Sequence, residues 1–208
     1  MKRELDMFEP MINGFNIYAS LFSILKNNDD VKNWICNNFI QLRYLSDHNV
    51  VFFEGYRNIL YNCPNITVNR ISRNILKLKW SNDLFKFIKE MVDENYYILL
   101  YIDRYYLTDF KLNHSSMHEL FIYGYDYDNN VLLCADNLAG SKYSKFQCPL
   151  DQFQKAYWNL LDSSYFTDIH CITTEFGSDM VDEINLSYIY KLLKDYIDSD
   201  VTGFVSTS

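Results

Sequence analysis

Six glycines and three prolines in 208 residues leave little turn-forming material, and none of it gathers into a glycine-rich run. A loop that cradles phosphates needs several glycines close together, so nucleotide binding by that route is excluded. No apolar run approaches the roughly 20 residues that cross a bilayer as a helix, and no membrane segment is expected. The opening MKRELDMFEPM has a basic pair without an apolar stretch behind it, unlike a secretory signal. Five cysteines (Cys36, Cys63, Cys134, Cys148, Cys171) contain no C-x-x-C pair, and an odd number cannot all close into internal disulfides. A reduced, cytoplasmic protein is expected, each thiol serving as a small buried hydrophobe. Positive charge is also short, 19 Lys and Arg against 27 Asp and Glu. The resulting net charge of −8 disfavours nucleic acid and anionic membrane as partners.

What is abundant is apolar and aromatic. A hydrophobic fraction of 49%, with 18 Tyr and 15 Phe, is that of a folded chain rather than a disordered one. The length suits one domain, alone or with a small lobe, and allows a sizeable core. The tyrosines clustered between Tyr96 and Tyr127 either line a pocket for an aromatic or extended acyl group or fill a sheet face with hydroxyls at its rim.

Residues 1–14 read as an irregular lead-in. Tyr18, Leu21, Phe22 and Leu25 then recur at helical spacing, up to a polar break at Asn27-Asn28-Asp29-Asp30. A second helix is expected from Val31 to about Leu45, burying Trp34, Ile35, Phe39, Ile40 and Leu42. A short strand follows over Val50–Phe53, ended by Glu54-Gly55, and Cys63-Pro64-Asn65 marks a turn. Ser81 is the expected N-cap of a helix whose apolar face is Leu84, Phe85, Ile88, Met91 and Val92. Beyond a strand over Tyr96–Ile102 come strands at Lys145–Cys148 and Ile169–Phe176 and a Pro-started helix over 150–161. A last helix over 186–197 carries Leu186, Ile189, Tyr190, Leu193 and Ile197 on one side, and the tail from Val201 has no pattern. Helices first and antiparallel strands later make the fold class α+β.

The most informative stretch is MHELFIYGYDYDNNVLLCADN, residues 117–137. Two apolar runs, Leu120–Tyr125 and Val131–Ala135, flank a turn of Asp and Asn and predict a β-hairpin. His118 opens the first strand and Asp136 closes the second. An antiparallel pair brings those two ends together, so an imidazole meets a carboxylate suited to orient it for base chemistry. The ordinary alternative is a polar residue at each end of a plain hairpin.

His118, five mostly apolar residues, Gly124-Tyr125, and a strand ending in Ala135-Asp136 resemble the His-bearing half of papain-like cysteine enzymes. The likeness is to the bacterial branch that holds C39-like peptidases and the N-terminal domain of butirosin biosynthesis protein H. Tyr96–Leu107 also resembles the strand before the histidine in the biosynthetic members. The resemblance implies one papain-like domain over 1–208. Its helical half would run over about 8–92, its sheet half over about 93–176, with a C-terminal helix over about 184–199. It further implies His118 as base and Asp136 as its orienting group, with no cofactor or metal. The implied activity is acyl transfer from an acyl- or peptidyl-carrier protein thioester onto an amine. The alternatives are a C39-like peptidase acting on a peptide and a catalytically inactive binding scaffold.

The family's cysteine belongs at the N-terminus of the first long helix, where helix dipole and free N–H groups activate a thiol and bind an oxyanion. Here that helix lies in GFNIYASLFSIL and holds no cysteine. Alignment to the family pattern gives Asn16 as the nucleophile slot, with Ala19 and Ile17 as alternatives. Ser20 is the nearest hydroxyl, and nothing in the pattern singles it out. Either the nucleophile was lost naturally or it was replaced. His114 and His118 followed by Glu119 do not form a helical zinc pair, since that motif needs its Glu between the histidines. Asp103 and Arg104 either end the strand or line the cleft, or, as the more ordinary reading, are solvated loop charge.

Overall fold

The computed structural model describes residues 1–25, 29–40, 42–45, 50–53, 59–138, 142–160, 164–174 and 183–200. In chain order the elements are β1 (Lys2–Glu4), α1 (Asn16–Ile24), α2 (Asp29–Asn38), β2 (Leu42–Leu45), β3 (Val50–Phe53), α3 (Ile59–Asn62), β4 (Ile66–Ile71), α4 (Arg73–Trp80), α5 (Leu84–Asp93), β5 (Tyr97–Asp103), β6 (Met117–Asp126), β7 (Val131–Asn137), β8 (Tyr143–Pro149), α6 (Leu150–Trp158), α7 (Ser164–Thr167), β9 (Ile169–Thr174) and α8 (Leu186–Asp198). Two 3-10 turns, Arg104–Tyr106 and Thr108–Phe110, join β5 to β6. Helix mixed with antiparallel sheet is the expected α+β class. The chain forms two compact units, Met1–Leu25 with Ile66–Thr174 and Lys26–Asn65 with Glu175–Ser208.

The first unit is built on a seven-stranded sheet in the order β4-β9-β5-β6-β7-β8, with β1 paired to β6. The ten-residue β6 is its organising strand. One edge carries β5 along Met117–Ile122 and then β1 along Gly124–Asp126, while β7 occupies the other. Alternation along the strands sends Ile98, Leu100, Ile102, Leu120, Ile122, Leu132 and Cys134 into one core, packed with Phe87 and Ile88 of α5 and Phe153 and Tyr157 of α6. Helix α1 lies against β6 and β7 and is buried almost all round, as a helix apolar on every face must be. Tyr97 and Tyr125 follow the sheet-filling alternative: Tyr97 stacks on Phe121, and the two hydroxyls donate to the Asp6 carbonyl and the Asp93 carboxylate, whereas Tyr105 and Tyr127 are exposed.

Several expectations are corrected. Residues 2–4 are a strand rather than irregular, because β6 outlasts β5 and leaves an edge for them. The sheet therefore draws β1 and β4 from outside the stretch 93–176, which the resemblance makes the sheet half. Both β4 and α4, between 66 and 80, are additional to the sequence reading. Ser81 is not an N-cap but the left-handed C-cap of α4, and Asp83 caps α5 by accepting from the Lys86 N–H at 2.9 Å.

Gly124 is fixed by β1. A Cβ there would stand 2.5 Å from the Arg3 carbonyl oxygen and 2.9 Å from Leu133 Cδ1. Backbone cannot retreat as a flexible side chain can, so Gly124→Ala should cost about 1–3 kcal/mol. The loss should appear first at β1, as faster amide exchange of Leu5, whose N–H donates to the Tyr123 carbonyl at 2.8 Å. Equal exchange in both proteins would show that β1 does not depend on this glycine.

In the second unit, β2 and β3 form a two-stranded sheet. The expected helix to Leu45 ends at Asn38, and Leu42–Leu45 is strand because it pairs with Val50–Phe53. Helix α8 is anchored through Asn37, which donates to the Glu183 carbonyl and accepts from the Asn185 N–H. Its buried positions are Leu192 and Asp195, whereas Leu186, Tyr190, Leu193 and Ile197, which share the apolar side, are exposed. Cys36 on α2 is exposed, contrary to expectation, while the other four thiols are buried. The polar break at Asn27-Asn28, Glu54-Gly55 and the tail from Val201 lie outside the described residues. Among the described residues no helix is long and apolar enough to cross a membrane.

Candidate functional site

The β6–β7 ladder runs from Asp126↔Val131 up to Phe121↔Ala135 and pairs no residues beyond. His118 and Glu119 thus lie on a margin of β6 released from its β7 partner, while β5 still holds their other side through Ile102↔His118 and Tyr101↔Glu119. A released margin has backbone groups to satisfy, and these organise the site. The Glu119 carbonyl accepts from Asn16 Nδ2 at 2.8 Å and lies 3.1 Å from His118 Nδ1. A carbonyl only accepts, so Nδ1 carries the ring proton and the lone pair is on Nε2, the nitrogen able to act as a base.

Asn16 is the first residue of α1, and no side chain caps that terminus. Of the three slots, Asn16 is thus tied to the same carbonyl as the imidazole. Ile17 is half-buried on the first turn. Ala19 is fully buried, its N–H closing that turn on the Phe15 carbonyl at 2.9 Å. Ser20 is buried further along the helix and accepts from the Tyr143 hydroxyl at 3.2 Å.

His118 and Asp136 meet as the hairpin predicts, with Nδ1 3.8 Å from Asp136 Oδ1. That is ion-pair range and longer than a hydrogen bond. The hydrogen bonds of Asp136 go elsewhere. Arg104 grips both its oxygens, Nε reaching Oδ2 at 3.1 Å and Nη2 reaching Oδ1, and the Asn137 N–H donates to Oδ1 at 2.6 Å. The Asp136 side chain is fully buried. Burial pushes its carboxyl up to about 6, against the opposing pull of Arg104 and His118.

No family model and no curated protein matches this chain.

Arg104 and Asp103 do not follow the solvated-charge alternative, and Glu119 is a further residue of the site. Arg104 is largely buried and stacks on Phe110 at 4.6 Å. Asp103 is not solvated either: its oxygens accept from the Ser115 hydroxyl and the N–H groups of Tyr105 and Ser116. The signal available was position, since Arg104 directly follows the strand that pairs with the His118 strand. Glu119 enters the sequence reading only against a metal motif. Its Oε1 accepts from the Tyr101 hydroxyl at 2.9 Å, and its Oε2 is 3.4 Å from His118 Nδ1. His114 contacts Asn113 through Nδ1. Among the described residues no three His, Cys, Asp or Glu side chains gather as a metal site. Burial, then Cys148 and Asp136, raise the Cys134 thiol well above its ordinary value, which leaves it a poor nucleophile.

Proposed function

We propose that this chain is a papain-like domain of natural-product biosynthesis that handles acyl thioesters, with an amide, Asn16, in the nucleophile slot. The observation that carries the reading is the convergence of Asn16 and His118 on the Glu119 carbonyl, at the uncapped start of the first helix. The donor would be an acyl- or peptidyl-carrier protein in the cytoplasm and the acceptor an amine. The amine nitrogen attacks the thioester carbonyl and its proton passes to His118 Nε2. The C–S bond then breaks and the carrier thiol leaves with that proton, so no acyl-enzyme forms. A carboxylate beside Nδ1 stabilises the transient imidazolium, and the α1 terminus faces the developing oxyanion.

The test is thiol release from an acyl-pantetheine thioester with and without amines, in a Cys36→Ser background to silence the exposed thiol. Amine-dependent release should fall about a hundredfold in His118→Ala, in the range of general-base effects, and intact mass should show no acyl adduct. A second reading, the inactive scaffold, is favoured by the Arg104 grip on both Asp136 oxygens. Thioester binding without amine-dependent release would select it. A C39-like peptidase has the weakest support, since residues 13–25 hold no thiol.

A further inference from the structure

We propose that Glu119 is the carboxylate that orients His118, so that Tyr101, Glu119 and His118 form the acid–base relay of this site, while Asp136 and Arg104 form a clamp beside it. The inference rests on His118 being the base of the proposed function. It replaces the partner that the hairpin geometry alone would choose.

The acceptors around His118 Nδ1 stand in a clear order: the Glu119 carbonyl at 3.1 Å, Glu119 Oε2 at 3.4 Å and Asp136 Oδ1 at 3.8 Å. Two of the three belong to Glu119. Asp136 is committed elsewhere, with both oxygens gripped by a guanidinium in a fixed fork and one shared with a backbone N–H. Turning toward His118 would leave Arg104 half-satisfied among buried groups. Glu119 has one oxygen pinned by the Tyr101 hydroxyl, which holds the other toward the ring. Tyr101 is itself seated edge-on against Phe166 at 5.1 Å. The register explains the arrangement, because Tyr101 and Glu119 are direct partners across β5 and β6 and such pairs meet side chain to side chain.

Among the described residues, the titratable and charged groups facing the ring are Glu119 from β6, Asp136 from β7 and Arg104, which follows β5 and pairs with Asp136. Tyr101 of β5 stands behind Glu119, and α1 contributes the uncharged Asn16. Glu119 and Tyr101 are positioning residues: each acts through His118.

Diethyl pyrocarbonate acylates only unprotonated imidazole, and peptide mapping isolates His118 from the other histidines. The pH midpoint of this modification reads the ring's electrostatic partners without any thioester, so it stands even if acyl transfer is not the function. In Glu119→Gln the midpoint should fall by about one pH unit, the effect of losing a nearby opposite charge. Tyr101→Phe, which keeps the fold's apolar contacts, should move it the same way by less. The double variant Arg104→Gln/Asp136→Asn, which removes both members of the clamp, should leave it near the wild-type value. An unchanged midpoint in both Glu119→Gln and Tyr101→Phe, or a larger shift in the double variant than in Glu119→Gln, would overturn the assignment and return the role to Asp136.

Discussion

Asn16→Cys should convert the protein into a reactive thiol enzyme. The new sulfur would sit at the first position of α1, beside N–H groups that no side chain caps, and next to the carbonyl that His118 also contacts. Helix terminus and imidazole together favour thiolate. In the Cys36→Ser background, alkylation should show a midpoint about two units below the roughly 8.5 of a free thiol, and His118→Ala should remove that advantage. An acyl adduct on the introduced thiol should then appear with an acyl-pantetheine thioester. Ala19→Cys should stay slow, since that site is fully buried one turn into the helix. Ile17→Cys should be intermediate. If all three thiols titrate as ordinary ones, the α1 terminus is not a disarmed nucleophile site and the scaffold reading stands.

Arg104→Met should be the most damaging single substitution at the site. It leaves the Asp136 carboxylate buried without its cation, which costs about 3–5 kcal/mol. For a chain of this length that is a fall of about 10 °C or more in Tm. The pH dependence has a definite sign. Burial, outweighing Arg104 and His118, raises the folded Asp136 carboxyl to about 6 from the ordinary 3.8. The folded protein therefore binds this proton more tightly than the unfolded chain. Stability from this group is full below the unfolded value and is lost as pH rises through about 6, by about 3 kcal/mol. Removing Arg104 raises the folded value further and deepens the loss, so the variant should be close to wild type at about pH 4 and much weaker at about pH 7.5. Arg104→Met/Asp136→Leu should recover most of the difference. A deficit that does not change with pH would mean that Arg104 acts through packing on Phe110 and not through the carboxylate.

The residues that set secondary structure locally were the legible ones. The Asp and Asn turn between two apolar runs required the β6–β7 hairpin, and the hairpin required that His118 and Asp136 approach each other. The apolar spacing of α5, the proline-started α6, the buried run of β5 and the alternation of β9 were equally plain. Periodicity failed where an element owes its state to a partner. Lys2–Glu4 is three charged residues with no alternation, and it is a strand because β6 offers an edge and Gly124 offers clearance. Leu42–Leu45 continues a helical pattern, and pairing with β3 overrides it. On α8 the repeat was real but much of its apolar side is exposed: periodicity defines a stripe without saying what covers it.

Local residue patterns were enough for the α+β class, the hairpin, the meeting of an imidazole with a carboxylate, and the absence of a thiol from the first helix. They could not determine which carboxylate the imidazole uses. That choice depends on where the β6–β7 ladder stops, which frees the Glu119 carbonyl for Asn16 and His118. It depends equally on the chain turning after β5 so that Arg104 comes back onto Asp136. Asn16 and Glu119 are 103 residues apart, and Arg104 and Asp136 are 32 apart. No local pattern encodes contacts at those separations, because they form only once the sheet has fixed its register and buried the groups that must then find partners.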